Sequence, residues 1–292
     1  MKMIIMGSGT SHGVPVIGCD CAVCTSQDSR DKRMRCSAYV CDPCSLVIDT
    51  GPEFRLQALR VGMKKLDAVL ITHSHADHLN GLDDVRIFSH TKSVDPAHPE
   101  AKETAGTGLP VYANAWTITD IHNRFDYIFK PVKEGGGKPK LNFFDVASYS
   151  AEKPICIHGL KIFPVCIMHG SLPVTGYVLS QSHADGSVHS IAYLTDCSSV
   201  PEESIALIQK YAGKLEHLVI DGLRVKPHST HESFLQALEV AQKLNPSHTW
   251  VTHITHNMSH VDIESYLNRH VSDFSNLTGS VGAAYDGLVL EA

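Results

Sequence analysis

Short apolar runs bounded by turn residues recur along the chain, and six of them end in an aspartate or a histidine. Such runs, often rich in β-branched residues, indicate buried strands. In α/β sheets, ligands bind in the crevice beyond the carboxyl ends of strands, so side chains delivered there by several strands can form one site. We therefore expect one shared site built from six residues, which are Asp49, His73, His169, Asp196, Asp221 and His253.

Two of these six positions have a second interpretation. Asp49 precedes the sequence Thr-Gly-Pro, and Asp221 precedes a glycine. Aspartate is common in such places because it caps turns and helices. At the level of the sequence, either residue can therefore be a turn former instead of a site residue.

Four stretches show the apolar periodicity of amphipathic helices, and the strands and helices alternate in the second half of the chain. This order predicts an α/β fold. The third stretch opens with Ser-Thr-His-Glu and closes before Asn-Pro, so it carries both a start and a stop signal. The four predicted helical stretches are 52–61, 200–213, 229–246 and 261–271.

Residues 91–150 have a different composition. The stretches 91–108 and 133–140 are polar and rich in glycine and proline, which is typical of mobile loops. We interpret them as parts of a loop-rich insertion at about 91–150. We see no sequence repeat and no interdomain linker, so residues 1–292 are predicted to form one domain.

Composition excludes several classes of protein. The 292 residues are 43% hydrophobic and 19% charged, as in an ordinary globular protein. A net charge of −6 argues against a nucleic-acid partner. No apolar run approaches the ~20 residues of a membrane helix, and the opening MKMIIMG reads as a first strand instead of a signal peptide. We expect a cytoplasmic protein with no membrane partner.

The stretch THSHADHLNG, at 72–81, follows a predicted strand and contains four metal-binding side chains. Imidazole and carboxylate groups suit zinc, manganese or iron. From a turn after the strand, His73 and His75 can point at one ion, and Asp77 and His78 at a second. Without a metal, three histidines so close together would repel each other on protonation, which disfavours a plain polar turn.

The HSHADH motif resembles the HxHxDH signature of the metallo-β-lactamase fold superfamily, and the later His169, Asp196 and His253 match its remaining metal positions in order. The resemblance covers essentially the whole chain. It implies a four-layer αββα sandwich with two mixed sheets between outer helices. It also implies a ligand set in which His73, His75 and His169 bind one metal, Asp77, His78 and His253 bind the other, and Asp196 bridges them.

A cysteine cluster suggests a further metal. Cys19, Cys21 and Cys24 provide three ligands, and a closed zinc site needs a fourth. Our candidate is His256, three residues after His253. The rivals for this position are Cys36, Cys41 and Cys44, and the last two can also be free thiols at a hairpin. The proposed site would be structural and would fix the N-terminal loop to the last catalytic strand.

The early CxCxxC and late HxxH together resemble the phosphoribosyl 1,2-cyclic phosphate phosphodiesterases of the carbon–phosphorus lyase pathway. The stretches GSGTSHGVP (7–15) and AAYDGL (283–288) are similar to that family as well. The resemblance implies two divalent ions, zinc or manganese, in the active site and one structural zinc. It also implies a homodimer.

Two divalent ions with the carboxylates of Asp77 and Asp196 leave a residual charge of about +2. Such a site suits a small anionic phosphodiester, including a cyclic one, which a metal-activated hydroxide would attack. We predict His231 and Asp77 as catalytic side chains, with His231 protonating the leaving group. We expect Asp49 to accept the other ring N–H of a ligand histidine.

Two nearby residues are expected to lie outside the site. His228 is interpreted as a bystander, and Arg86 as a solvated or ion-paired side chain outside the site.

The alternative functions are a ribonuclease of the tRNA 3′-processing type and a non-catalytic relative from cofactor biosynthesis. The first normally carries a basic RNA-binding arm, whereas residues 91–150 contain no block of Lys and Arg. The second has a degraded histidine loop, whereas HSHADH is complete.

Overall fold

Two seven-stranded sheets form the centre of the structure, a computed structural model that describes residues 1–89, 108–130 and 138–292. In spatial order, the first sheet contains β14 (Val289–Glu291), β1 (Lys2–Gly7), β2 (Ser37–Asp42), β3 (Leu46–Ile48), β4 (Ala68–Leu70), β5 (Leu109–Ala113) and β6 (Leu141–Asp145). The second contains β13 (Ser280–Ala283), β12 (His248–Thr252), β11 (Lys214–Asp221), β10 (Val188–Leu194), β9 (Leu172–Ser182), β8 (Leu160–His169) and β7 (Ile155–Ile157).

The sheets pack against each other, and helices cover their outer faces. Met3 and Ile5 of β1 enter the core between the sheets, where they join Tyr193 of β10. Leu218 and Ile220 of β11 face the opposite way, toward the outer helices. The described helices are α1 (Phe54–Arg60), α2 (Ala76–Leu79), α3 (Arg86–Ser89), α4 (Ala115–Arg124), α5 (Asp126–Phe129), α6 (Glu202–Tyr211), α7 (Phe234–Leu244) and α8 (His260–His270). Strands buried on both faces read as continuous apolar runs, and the predicted αββα sandwich is confirmed.

Strand direction brings the polar strand ends together. Strands β3 to β6 are mutually parallel in the first sheet. In the second sheet β10, β11 and β12 are parallel, and β8 has the same direction because β9 is antiparallel to both β8 and β10. Parallel strands present their carboxyl ends at one edge of a sheet, which is where these folds place ligands. The residues that close the six apolar runs all lie at such ends.

The predicted helices occur, but the third begins later than the sequence indicates. α7 starts at Phe234, and Ser233 caps it in a reciprocal capping box with Gln236. The prediction that the helix opens at Ser229 was wrong because the Ser233–Gln236 pair satisfies the first free backbone N–H groups instead. His231 therefore lies on the loop before the helix.

The range 91–150 differs from the expected loop-rich insertion. Its described part contains β5, α4, α5 and β6, and the two strands extend the first sheet to its edge. The polar stretches within 91–107 and 133–137 lie outside the described residues. Within the described ranges, no helix combines the length and apolar character needed to cross a membrane.

Arg33 is a buried cation that joins two distant parts of the chain. Its side chain is fully buried and lies 3.1 Å from Asp31 Oδ1. It also donates to the carbonyl oxygens of Thr255 (2.6 Å) and Met258 (3.2 Å). Asp31 Oδ1 in turn accepts the backbone N–H of His260 at the start of α8. The N-terminal loop is thereby fixed to the segment that follows β12.

Replacing Arg33 with methionine should lower the free energy of unfolding by about 3–5 kcal/mol, because Asp31 would remain buried without its counter-charge. Urea unfolding followed by circular dichroism measures the loss. Lys130→Met is the control, since it breaks the exposed Lys130–Asp126 pair and should leave the urea midpoint unchanged. Equal midpoints for R33M and the wild type would show that the ion pair does not fix this loop.

Candidate active site

Three residues at the strand ends adopt a backbone conformation that is rare for side chains other than glycine. The φ angles are 61° at Asp49, 61° at Asp196 and 60° at His253. Left-handed conformations of this kind cost of order 1–3 kcal/mol each and concentrate at functional sites. Each one turns the chain sharply at the end of its strand, and the side chains of Asp196 and His253 then lie within 3.2 Å of each other.

The histidine loop divides its ligands between two directions. His73 and His75 precede α2, whereas Asp77 and His78 lie within it. The loop packs directly on the backbone of Gly51, where an added Cβ would lie only 2.2 Å from the carbonyl oxygen of Asp77. A side chain at position 51 would therefore displace Asp77.

The first donor group contains three histidines and one aspartate. One ligand atom from each of His73, His75, His169 and Asp196 lies within 4.8 Å of every other. His73 Nε2 is 3.1 Å from Asp196 Oδ2. His169 Nδ1–H donates to the Thr230 carbonyl oxygen at 2.8 Å, which leaves the Nε2 lone pair free to bind a metal. This set can hold a metal ion.

The second donor group uses the same aspartate. Asp77, His78, Asp196 and His253 also bring one ligand atom each within 4.8 Å of one another. His78 Nε2 is 2.8 Å from Asp196 Oδ2, and His253 Nε2 is 3.2 Å from Asp196 Oδ1. The structure thus brings together all seven predicted ligands and divides them into the two expected sets, with Asp196 in both.

Buried side-chain atoms without a hydrogen-bond partner indicate whether a metal ion would fit between the two donor groups. Among the described residues, His73 Nε2, His78 Nε2, His253 Nε2 and Asp196 Oδ1 are buried without a hydrogen-bond partner. Close contacts without hydrogen-bond geometry are expected where lone pairs point at a common ion. Burial acts to raise the pKa of Asp196, but the His253 and His78 rings outweigh it and hold that pKa well below its usual range. The donor set fits divalent metal ions.

Asp49 lies behind the second donor group. Its Oδ2 is 2.7 Å from His78 Nδ1 and accepts the Thr72 hydroxyl at 2.8 Å, while its Oδ1 accepts the Thr72 backbone N–H. The contact with His78 is the one expected from the sequence. A carboxylate on Nδ1 fixes the tautomer of the ring, so that His78 Nε2 faces Asp196 as a lone pair.

His231 forms a pair with Asp221 beside the two donor groups. His231 Nδ1 is 2.8 Å from Asp221 Oδ2 and 3.2 Å from Asp196 Oδ1, and its ring stacks on His253. Burial, followed by the charge of His253, lowers the pKa of His231 to about 4, and burial raises the pKa of Asp221 well above its usual range. The two shifts together favour a neutral imidazole facing a protonated carboxyl group.

Asp221 is one of the six strand-end residues expected at the site, but the sequence did not assign it a partner or a role. Its position before Gly222 is equally typical of a turn, and the structure instead buries it completely, with Oδ2 also accepting the Cys197 backbone N–H. The signal that predicted Asp221 is its place at the end of a strand, which it shares with the other site residues.

The cysteine cluster lies at the end of the N-terminal loop. The sulfur atoms of Cys19, Cys21 and Cys24 are each 3.4 Å from His256 Nδ1. The backbone N–H of Cys24, and then the His256 ring, lower the pKa of Cys21 to about 6. Three sulfur atoms equidistant from one imidazole nitrogen, with a thiol inclined to ionise, form a set that can hold zinc.

The three rival cysteines lie elsewhere. Cys36 is buried with its sulfur 3.5 Å from the Thr252 hydroxyl, Cys44 is in the core between the sheets, and Cys41 is exposed at the end of β2. None of them belongs to the donor group around His256 in the described part of the chain.

Arg86 and His228 were expected to lie outside the site. Arg86 is exposed and pairs with Asp83 at 3.2 Å. His228 is exposed, and its ring centroid is 5.3 Å from that of His231. His228 belongs to none of the donor groups among the described residues.

Comparisons with known proteins define the family. The family model for the beta-lactamase superfamily domain matches residues 45–254. The crystal structure of a diphosphatase from the PhnP family is 38% identical, with a TM-score of 0.77, and the match covers 100% of this chain and 97% of that chain. The chain therefore belongs to the beta-lactamase superfamily, as a metal-dependent hydrolase, and is similar over its whole length to that PhnP-family diphosphatase. This confirms the resemblance drawn from the motifs.

Two further similarities give weaker evidence about this chain. An octanoyltransferase from Porphyromonas gingivalis (strain ATCC BAA-308 / W83) is 33% identical over 99% of this chain, which spans about half of that protein's length (51%). Zinc-bound PqqB from Methylobacterium extorquens is 17% identical, with a TM-score of 0.71 over 100% of both chains. At that identity the second similarity shows the fold alone.

Replacing Cys21 with serine should remove about one tightly bound metal ion per chain and lower the melting temperature, because zinc–thiolate binding contributes folding free energy. Elemental analysis and thermal unfolding measure the two effects. Cys41→Ser is the matched control, since Cys41 lies outside the cluster and should leave both values unchanged. A C21S protein with full metal content and an unchanged melting temperature would refute the zinc assignment.

Proposed function

We propose that this protein is a dinuclear metal-dependent phosphodiesterase that hydrolyses a small phosphate diester, cyclic or linear. The observation that carries the proposal is the position of Asp196, whose carboxylate belongs to both donor groups. A shared carboxylate supports a pair of neighbouring ions, an arrangement typical of enzymes that cleave phosphate esters.

The proposed ligands are His73, His75 and His169 for one ion, Asp77, His78 and His253 for the other, and Asp196 for both. When bound, two zinc or manganese ions would lower the pKa of water to near neutral and offset the charge of the phosphate. The first site is open, since His75 is exposed to solvent while His73 is buried. An anionic substrate can approach from that side.

Proton transfer is assigned to His231. Asp221 on Nδ1 orients the ring, and the opposite nitrogen is then free to donate a proton to the leaving oxygen. The stack on His253 holds the imidazole beside the donor groups, with ring centroids 4.6 Å apart. Asp77 is proposed to act beside it, as a ligand and as an acceptor for the attacking water. The role of His231 rests on this geometry, and that of Asp77 on its place in the second donor group.

A diphosphate diester is the second candidate substrate. The 38% identical relative is described as a diphosphatase, and a phosphoanhydride offers the same anionic phosphorus centre. The two substrate classes differ in the leaving group, because phosphate leaves without a proton far more easily than an alkoxide does. A tRNA-processing activity has less support, given the net charge of −6.

A turnover screen tests the function. The protein is reconstituted separately with zinc and manganese and assayed on cyclic phosphates, linear diesters and diphosphate diesters. We expect turnover of a small diester with at least one of the metals. Hydrolysis of diphosphates alone would replace the first candidate with the second, and inactivity on the whole panel would overturn both.

Asp196→Ala should reduce turnover more than about 100-fold, because losing a ligand to both ions costs more than the 10–100-fold loss typical of a ligand's hydrogen-bond partner. The metal of the cysteine cluster should remain, as shown by elemental analysis. Asp185→Ala, which changes an exposed turn, is the control and should retain activity and metal. Near-normal turnover of D196A would exclude the bridging role.

His231→Ala should keep its metals and its fold but lose ~10²–10⁴-fold in rate on a substrate with a poor alkoxide leaving group. The loss should shrink for a nitrophenyl ester, since nitrophenolate departs without a proton. His228→Ala is the control and should match the wild type on both substrates. If H231A slows both substrates by the same factor, His231 positions the phosphate, and proton transfer belongs to another group.

A further inference from the structure

His75 is held differently from the other two histidines of the first donor group. His73 Nδ1 lies 3.0 Å from the Thr72 hydroxyl oxygen, and His169 Nδ1–H donates to the Thr230 carbonyl oxygen. The ring of His75 packs against the rings of His73 and His169, but within the described part of the chain it makes no hydrogen bond. The direction of the His75 ring therefore depends on the backbone that carries it.

That backbone is bound by α4 at Ser74, the residue between His73 and His75. The Ser74 hydroxyl donates to Asp120 Oδ2, and the guanidinium of Arg124 donates to the Ser74 carbonyl oxygen. Asp120 and Arg124 are four residues apart and so share one face of the helix. Because one contact holds the side chain of Ser74 and the other holds its backbone, the orientation of Ser74 relative to α4 is fixed.

The helix that makes these contacts is itself well anchored. Asn114 caps it by accepting the Thr117 backbone N–H at 2.8 Å, and Ile121 is completely buried among apolar residues of the first sheet and its helices. The Asn114 amide also donates to the Thr175 hydroxyl at 3.4 Å, and the Thr175 backbone N–H donates to the carbonyl oxygen of Thr72 at 3.0 Å. α4 is thus connected to the histidine loop on both sides of His73 and can act as a rigid support.

We propose that Asp120 is a positioning residue for the first metal ion. By holding the Ser74 hydroxyl, it fixes the chain between His73 and His75 and directs the His75 ring toward the other ligands of its donor group. The inference rests on the proposed function, because it takes the first donor group to be a metal site. Groups that hydrogen-bond a ligand typically change metal affinity 10–100-fold. Asp120 acts through Ser74, so the lower end of that range, about 10-fold, is expected.

The first test measures zinc affinity. The protein is equilibrated in a graded series of zinc buffers, and the metal bound per chain is determined by elemental analysis. Asp120→Ala should raise the dissociation constant of one active-site ion about 10-fold, while the other active-site ion and the ion of the cysteine cluster stay bound as in the wild type. Thr119→Ala is the matched control on the same helix, since its exposed hydroxyl bonds only the Ala115 carbonyl oxygen among the described residues, and it should change none of the three.

A mutant cycle tests whether Asp120 acts through Ser74. Ser74→Ala should weaken the same ion by the same factor as D120A, and the double variant should be no weaker than either single variant, because both remove one contact. Additive losses would mean that Asp120 acts by another route and would overturn the proposal.

Two further variants separate positioning from charge and identify the ion. Asp120→Asn keeps an oxygen that can accept the Ser74 hydroxyl but loses the negative charge, so its zinc affinity should stay close to that of the wild type. A D120N protein as weak as D120A would show that the charge acts on the ion directly and would refute positioning. In an Asp77→Ala background, which removes a ligand of the second ion, D120A should still weaken the remaining active-site ion. Disappearance of the effect there would assign Asp120 to the second ion, against the proposal.

The metal content of the wild type separates this inference from the proposed function. If the wild type binds no ion outside the cysteine cluster, both fail. If it binds two such ions and D120A binds both with unchanged affinity, the inference alone fails. If it binds a single such ion that D120A weakens, the dinuclear assignment fails and the positioning role of Asp120 stands.

Discussion

The carboxylate of Asp196 is the contact on which the site depends. It is 2% exposed, and it lies at the end of a strand of the second sheet while contacting histidines that follow a strand of the first. Its neighbouring histidines are His73, His78, His169, His231 and His253. An isolated buried carboxylate would be costly. The two sheets therefore meet at a group that needs positive charge around it, which is the physical basis for placing cations there.

The segment from His253 to His256 links this centre to the N-terminal loop. His253 belongs to the second donor group, and His256 lies against the three cysteines. Between them, Ile254 exchanges backbone hydrogen bonds with Ser8 and Thr10, and Arg33 binds the carbonyl oxygen of Thr255. The segment 253–256 is thus held by backbone hydrogen bonds and by the Arg33 side chain. The cysteine cluster thereby restrains the chain that carries His253 of the second donor group.

Much of the fold and the donor set could be predicted from the sequence, because a buried strand ending in Asp or His combines a strong pattern with an unusual residue. The spacing between His253 and His256 also predicted that one belongs to the second donor group and the other to the cysteine cluster. Asp221 was ambiguous since a turn and a site share the same Asp-Gly signal. β5 and β6 were missed because each lies next to a polar, glycine-rich stretch that dominates the pattern of its neighbourhood.

The start of α7 and the contact between α4 and the histidine loop show a different limit. Two serines, Ser229 and Ser233, offer competing caps, and only the tertiary position of the loop before the helix decides between them. α4 meets the histidine loop where Asp120 accepts the hydroxyl hydrogen of Ser74. Neither contact leaves a local pattern in the sequence, because the partners are far apart along the chain.

The left-handed backbone at Asp49, Asp196 and His253 has a consequence for how the chain matures. Three such residues cost of order several kcal/mol together, a large share of the 5–15 kcal/mol that separates a typical folded domain from its unfolded state. The strain is present as soon as the chain folds, whereas the free energy of metal binding is gained only when metal is available. Metal bound at the donor groups would therefore make the folded chain more stable than it is without metal.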